Sequence, residues 1–324
     1  MQETVDTESG ARRAPAGPAA ERAPRRRGPA RRLGRALAPL PWLAPALALI
    51  CFVVLWPVWE MFQTSRQHIN SFGFDLGDYG WKNYTAVFDD PNLASVMTRT
   101  AVWVFAVVAL TVVISLAIAQ LLNQRFPGRK VVRWALIAPW AASVMMTSIV
   151  FRWMLDPNNG VINVLLHQLG IVSQFNGTQA SWLGNPTHAM YWMVAVAVFV
   201  SVPFTTYALL AGLTSIPAEV YEAARVDGAS RLRTYWAITF PLLRPALTVA
   251  ILINLMNVFN SFPIIYTMTG GGPDSQTSTS TVYMYTLKTL NIGQSGALSV
   301  INFGVVIVIV LIFLRANKNS LKES

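Results

Sequence analysis

The sequence predicts an all-α protein that crosses a membrane six times. Two features of its composition favour this class: 53% of the 324 residues are hydrophobic and only 12% are charged, whereas roughly 25% are charged in a typical soluble domain. The third observation is a pattern, since six stretches long enough to span a bilayer contain no Asp, Glu, Lys or Arg. A charge at the centre of a membrane helix costs about 2.5–3.5 kcal/mol on insertion scales, so six such gaps indicate repeated crossing.

The chain begins with a basic segment that shows no apolar periodicity. Residues 1–35 contain nine arginines among many prolines and alanines, and this composition buries too little apolar surface to offset the entropy of ordering. We therefore expect a disordered cytoplasmic tail there and a second, short tail at 319–324. The formal net charge of +10 raises nucleic acid as a partner, but basic and aromatic residues do not interleave on one domain, so we predict no nucleic-acid binding.

The first predicted span, residues 36–59, follows this tail directly. A cleaved signal peptide would also follow a basic segment, but its apolar stretch has only about 7–15 residues and ends at a small-residue cleavage site. Here the apolar stretch is longer and no such site follows Trp59, so a retained helix is favoured. The same charge-free criterion places the other spans at 100–124, 134–151, 190–213, 245–268 and 296–314.

The basic residues predict the orientation of these spans. If the N-terminal tail is cytoplasmic, twenty of the 25 lysines and arginines fall in cytoplasmic segments and five in outer segments. Cytoplasmic loops carry the excess of Lys and Arg in membrane proteins. Both termini are therefore predicted to be cytoplasmic, in a lipid bilayer that surrounds the helices.

Two long outer segments, 61–99 and 152–189, contain the aromatic residues Trp81, Tyr84, Trp153 and Trp182. Such residues are typical of the interfacial belt of a membrane protein, and they are also typical contacts for an external protein. The sequence leaves both interpretations open.

The cytoplasmic segment 215–245 carries the clearest local signals. Ser215 before Pro217, with Glu219 in the first turn, suits the start of a helix. Gly228 suits its end, and Ser230 suits the cap of a second helix running toward Pro241. Small and charged residues on such a helix-turn-helix suit docking of another protein. An ordinary interhelical loop is the alternative that composition alone leaves open.

The order of residues in this segment resembles the EAA signature of permease subunits of binding-protein-dependent ABC importers. The resemblance rests on Glu222, Ala223, Ala224, Asp227, Gly228, Ala229, Ile238, Pro241 and Leu242. It implies a type I importer fold, in which a coupling helix at about 217–228 sits in a groove of an ATP-binding subunit. The residues that the resemblance assigns to this coupling are Glu222, Ala223, Ala224, Arg225, Asp227 and Gly228.

Two outer motifs, WMLDPNNGVIN at 153–163 and TGGGP at 269–273, look like those of maltose-type carbohydrate permeases. The likeness covers roughly residues 36–318, the predicted transmembrane domain. It implies the F-type permease of a disaccharide importer, for trehalose or maltose. The implied partners are a G-type permease, two ATP-binding subunits and an extracytoplasmic sugar-binding protein. The maltose F-type subunit has extra N-terminal spans and a large external domain, which this chain lacks, so its external docking is expected to differ.

Polar residues in the fifth span suggest a path for the solute. At 100° per residue, Asn254, Asn257 and Ser261 fall within a 60° arc, whereas Asn260 is offset. Amides at membrane depth meet either another helix or a wet cavity. The family resemblance favours contacts with a neutral sugar, so the predicted path comprises Asn254, Asn257, Asn260, Ser261 and Thr205. Weaker candidates are Ser143, Thr147, Ser148, Ser201 and Thr206.

Other functions have little support in the sequence. The single cysteine, Cys51, and three distant histidines provide no metal-ligand spacing, and the GGGP run lacks the Lys-Ser/Thr of a phosphate-binding loop. We therefore expect no catalytic residues, metal or cofactor in this chain, and expect ATP and magnesium in a partner subunit. The alternatives are an importer of another solute, such as glycerol phosphate, and a membrane enzyme of cell-envelope lipid metabolism. Such an enzyme would have only Asp156 near Arg152 and Glu60 near Arg66 as carboxylate–base combinations at span ends, and neither resembles a catalytic set.

Overall fold

The computed structural model describes residues 40–171, 181–272 and 276–317. The predicted tails at 1–35 and 319–324, and Pro273 of the TGGGP motif, lie outside these ranges. The described residues are predominantly helical, with one two-stranded antiparallel sheet, which confirms the predicted all-α class. Five helices in this part of the chain are long and apolar enough to cross a membrane: Trp42–Arg66, Leu93–Asn123, Pro186–Thr214, Arg231–Thr269 and Ile292–Ala316.

The segment up to Pro57 forms a unit of its own. Helix α1 (Leu40–Ile50) continues through a π-helical turn (Cys51–Leu55) into α2 (Trp56–Arg66). Pro57 has no N–H group to donate within the first turn of α2, and a π turn directly upstream accommodates the change in hydrogen bonding. The described part of the first predicted span, from Leu40 onward, is therefore helical.

The second unit begins at Val58, within α2, and continues into a short hairpin. Strands β1 (Gln67–Ile69) and β2 (Asp75–Asp78) form a hairpin, and α3 (Lys82–Phe88) follows. Asn83 of α3 is buried and its Nδ2 atom donates to the carbonyl oxygens of Ser65 and Gln67, at 3.0 and 2.9 Å. This amide fixes the start of the hairpin to α3.

Helices α4 (Leu93–Asn123) and α8 (Pro186–Thr214) form the centre of the core. Buried side chains on both helices, including Trp103, Val107, Met193 and Val196, pack in one apolar cluster. Apolar burial of this kind between α4 and α8 holds the surrounding shorter helices in place.

The third predicted span, 134–151, is not one continuous helix. Helix α5 (Arg129–Ala141) ends at Ala142, whose backbone is extended, and α6 (Val144–Met154) begins after Ser143, which is also extended. The side-chain oxygen of Ser143 accepts a hydrogen bond from the backbone N–H of Met146 and so starts the new helix. The absence of charge predicts membrane depth but carries no information on backbone continuity.

The remaining helices complete the second unit. They are α7 (Val161–Gln168), α9 (Ala218–Val226), α10 (Arg231–Thr234), α11 (Phe240–Phe259), α12 (Pro263–Thr269), α13 (Ser280–Leu290) and α14 (Ile292–Ala316). A second π-helical turn, Tyr235–Thr239, joins α10 to α11. Helices α13 and α14 pack against each other, and α14 also contacts α3.

Candidate functional site

A cavity of about 480 Å³ lies beside the two places where membrane helices are interrupted. One interruption is Ala142–Ser143, between α5 and α6, and the other is 260–262, between α11 and α12. Ala142, Ser143, Asn260 and Ser261 all line the cavity. Non-helical backbone at membrane depth is tolerated where protein buries it or where it lines a water-filled space. The interruptions therefore indicate a wet cavity.

The four polar residues predicted on the fifth span all line this cavity. Asn254, Asn257, Asn260 and Ser261 are in its wall, although Asn260 was expected to be offset from the others. The helical phase places Asn260 elsewhere only if the helix continues, and α11 ends at Phe259. The break turns Asn260 and Ser261 toward the same space.

Thr205, the fifth residue of the predicted path, does not line the cavity. It is fully buried, and its Oγ1 atom lies 2.8 Å from Nδ2 of Asn254. It thus supports a lining residue from behind. Among the weaker candidates, Ser143 and Ser201 are in the lining, while Thr147, Ser148 and Thr206 are buried and outside it.

The polar lining residues differ in how much hydrogen-bonding capacity they keep. Asn260 donates from Nδ2 to the carbonyl oxygen of Met256 at 2.9 Å. The side chains of Asn257, Ser201 and Ser261 form no hydrogen bond with any described residue. A solute with hydroxyl groups finds free donors and acceptors at these three positions.

Aromatic lining residues were missed by the sequence analysis. Trp103, Trp140 and Phe204 contribute rings to the wall. They lie in apolar spans where an aromatic residue gives no distinguishing signal, since such residues are also ordinary core or lipid-facing side chains. The helix interruptions bring these aromatic residues together, and a search for charge-free spans does not detect such interruptions.

The predicted cytoplasmic coupling segment forms the expected helix-turn-helix. Helix α9 ends in a Schellman motif: the N–H of Gly228 donates to Arg225 and the N–H of Ala229 to Ala224, at 3.0 and 2.9 Å. Gly228 has φ of +72°, a conformation that favours glycine. Ser230 caps α10 by accepting from the N–H of Arg233. The capping predictions for Gly228 and Ser230 are confirmed. Ser215 does not start α9: it caps the end of α8, where its N–H donates to the carbonyl oxygen of Ala211, and α9 begins after Pro217.

The coupling residues do not all face the same way. Glu222, Ala223, Arg225, Asp227 and Gly228 are exposed. Ala224 is only 4% exposed, so it packs against this chain and is not accessible for contact with another protein. The small residue at this position allows α9 to lie close to its own helices. Val226, which the sequence analysis did not single out, is 88% exposed and adds an apolar surface to the exposed face.

A continuous helical segment links α10 to the cavity wall. Helix α10 passes through the π turn into α11, with the N–H of Phe240 donating to the carbonyl oxygen of Tyr235. Pro241 and Pro245 follow in the next turns and lack the N–H groups that a regular helix would use. The π turn absorbs this mismatch without ending the helix.

The Asp156 and Arg152 pair does not form an acid–base site. The Asp156 carboxylate accepts hydrogen bonds from the backbone N–H groups of Asn158 and Asn159, which hold its pKa below the usual value. Arg152 donates to the carbonyl oxygen of Thr267 at 3.0 Å. The described residues contain no group of three His, Cys, Asp or Glu side chains that could hold a metal ion.

Comparison with known proteins adds an independent observation. The sequence profile of the family described as "Binding-protein-dependent transport system inner membrane component" matches residues 111–319. A probable ABC transporter permease of Brucella suis biovar 1 is 38% identical over 281 residues, which cover 86% of this chain and 96% of the relative.

Two further relatives have names that state a solute. The sulfoquinovosyl glycerol transport system permease SmoG of Agrobacterium fabrum is 32% identical, covering 87% of this chain and 91% of the relative. The trehalose/maltose transport system permease MalF of Thermococcus litoralis is 30% identical, covering 85% and 92%.

A solved structure agrees at the level of the fold. A chain of the bacterial alginate ABC transporter, crystallised with its pentasaccharide-bound periplasmic protein, superimposes with a TM-score of 0.76. The match covers 90% of this chain and 98% of that chain at 20% identity.

Proposed function

Because the chain belongs to the family of binding-protein-dependent transport system inner membrane components, we propose that it is the F-type permease of an importer for a neutral disaccharide such as trehalose or maltose. The chain is a multi-pass protein of the inner membrane and a permease of a sugar ABC importer. It is not an enzyme, since ATP hydrolysis takes place in separate subunits of such importers.

The absence of charged residues from the cavity lining is the observation that supports a neutral solute. Among the described residues that line it, none is Asp, Glu, Lys or Arg. Three amides and three serines are in the wall: Asn254, Asn257, Asn260, Ser143, Ser201 and Ser261. An anion at membrane depth would need a cationic partner to offset its lost hydration. Neutral hydroxyls need only hydrogen-bonding groups, which this wall provides.

The proposed mechanism uses α9 as the contact for the ATP-binding subunit. Closure of the two ATP-binding subunits displaces the exposed face of α9, formed by Glu222, Ala223, Arg225, Asp227 and Gly228. The rigid continuation from α10 through the π turn moves α11, and with it the cavity wall at Asn254 and Asn257. Rigid elements of this kind transmit displacement over long distances in transporters.

The remaining partners follow from the same proposal. A G-type permease completes the passage, and an extracytoplasmic sugar-binding protein delivers the solute to the outer segments. The excess of Lys and Arg in the segments assigned to the cytoplasm supports an orientation with both termini inside.

Co-purification tests this assignment. The chain, tagged and extracted in mild detergent, should retain an ATP-binding subunit and a second permease. Hydrolysis of ATP by the reconstituted complex should be stimulated by binding protein loaded with trehalose or maltose, and not by binding protein supplied with sn-glycerol 3-phosphate. Absence of an associated ATPase would contradict the proposal, and stimulation by the phosphate ester alone would replace its substrate class.

A further inference from the structure

The amide of Asn254 is held by two hydrogen bonds from a single atom. Its Nδ2 donates to Oγ1 of Thr205 at 2.8 Å and to the carbonyl oxygen of Ala250 at 2.9 Å. Asn254 is 4% exposed and Thr205 is fully buried. Both N–H bonds of the amide are therefore used within the protein.

The direction of each hydrogen bond follows from two backbone carbonyl oxygens, which can only accept. The carbonyl oxygen of Ala250 requires a donor, so the amide nitrogen of Asn254, and not its oxygen, faces it. Thr205 donates its own hydroxyl hydrogen to the carbonyl oxygen of Ser201 at 2.9 Å. Its oxygen therefore accepts from Asn254, and no alternative arrangement satisfies both carbonyls.

The carbonyl oxygen of the Asn254 side chain is left as its one available polar atom. This Oδ1 has no partner among the described residues and is not enclosed by protein, and Asn254 lines the cavity. Asn260 repeats part of the pattern, because its Nδ2 donates to the carbonyl oxygen four residues earlier. The wall thus presents amide oxygens to the solute.

We infer that Thr205 is a positioning residue that fixes the Asn254 amide with its oxygen toward the cavity, which selects a solute rich in hydroxyl donors over an anionic one. A hydroxyl donates to such an oxygen, whereas the oxygens of an ionised phosphate only accept and are repelled by it. This inference rests on the proposed function and adds to it the residue that sets the polarity of the site.

Thr205→Val tests this role because valine keeps the shape and removes the hydroxyl. Thr206→Val is the matched control: Thr206 is the adjacent buried threonine, and its Oγ1 has no hydrogen-bond partner among the described residues. Thr205→Ser retains the hydroxyl and is the conservative variant. The affinity for radiolabelled maltose, trehalose and sn-glycerol 3-phosphate is measured on the purified membrane complex. The binding protein is left out, so that the measurement reports only binding to the cavity.

Because Thr205→Val removes one well-formed hydrogen bond, we expect it to weaken disaccharide binding about three- to tenfold. The ratio of the affinity for the disaccharides to the affinity for sn-glycerol 3-phosphate should fall as well. Thr205→Ser and Thr206→Val should bind as the wild type does. Unchanged binding in Thr205→Val, or an equal loss in Thr206→Val, would overturn the inference and leave the transporter assignment intact. A wild-type complex that binds neither disaccharide would overturn the inference together with the proposed substrate class on which it rests.

Discussion

The indole N–H of Trp103 donates a 3.0 Å hydrogen bond to the carbonyl oxygen of Val258. Trp103 lies on α4 and is 1% exposed, while Val258 is in the last turn of α11, directly before the helix break. Carbonyl groups at a helix end lack their regular partners within the helix, and the Val258 oxygen accepts instead from Trp103 and, at 3.2 Å, from the backbone N–H of Ser261. Trp103 therefore secures the end of α11 at the point where Asn260 and Ser261 turn into the cavity.

Trp103→Phe should destabilise the protein and impair transport. Phenylalanine cannot donate to Val258 and leaves part of the indole volume empty, which together predict a loss of about 1–3 kcal/mol in the free energy of unfolding. Thermal unfolding of the purified complex in detergent measures the change. Trp153→Phe is the control, since Trp153 is 71% exposed. Equal shifts in the two variants would contradict a specific role for the Trp103 hydrogen bond.

The parts of the structure that the sequence predicts well depend on local chemistry. Gly228 and Ser230 act through a backbone angle and a capping oxygen that need only their immediate neighbours. The charge-free spans are similarly predictable, because a single charge at membrane depth is costly wherever the helix packs.

The parts that escape prediction depend on contacts distant in sequence. The break at Ala142–Ser143 lies in an uncharged stretch, and its backbone is accommodated by the cavity that other helices form. Ala224 lies on the short helix α9, and the packing of other helices against α9 determines which of its faces is buried. Thr205 is recognisable as a polar residue of the fourth span, but its role behind Asn254 appears only when α8 and α11 are brought together.

Gly228→Phe should abolish uptake while the protein still inserts into the membrane. A Cβ atom added at Gly228 meets no described atom within 4 Å, so we expect a larger side chain to extend into the surface proposed for the ATP-binding subunit. Backbone strain at positive φ costs about 1–3 kcal/mol by itself. Gly170→Phe controls for that strain, because Gly170 has φ of +70° with no described atom within 4 Å of an added Cβ, and it lies in a segment predicted to be on the opposite side of the membrane. Loss of uptake in both variants, or in neither, would contradict coupling at α9.

Gly293→Ala should lower stability, and Gly304→Ala on the same helix should not. A Cβ atom at Gly293 would lie 2.4 Å from the carbonyl oxygen of Gln67 and 2.6 Å from Nδ2 of Asn83. Overpacking of this kind costs about 1–3 kcal/mol. At Gly304 no atom lies within 4 Å, so alanine is expected to be neutral or to stabilise α14 by up to about 1 kcal/mol. Thermal unfolding of the two variants measures the difference. Equal stabilities would contradict the prediction, because they would mean that the hairpin can move away from α14 without loss of stability.

Tyr283 is expected to make stability fall in alkaline solution. Its burial, together with the hydrogen bond that its hydroxyl donates to Asp90, raises its pKa to about 12, against about 10 in an unfolded chain. Because the folded state holds this proton more tightly, the contribution is fully present below pH 10 and is lost as the pH rises from about 10 to 12. Tyr283→Phe should be less stable than the wild type at pH 8 and should show a shallower decline across that window. Tyr191→Phe, at an exposed position, should follow the wild-type profile. An identical alkaline decline in Tyr283→Phe and the wild type would assign the effect to other groups.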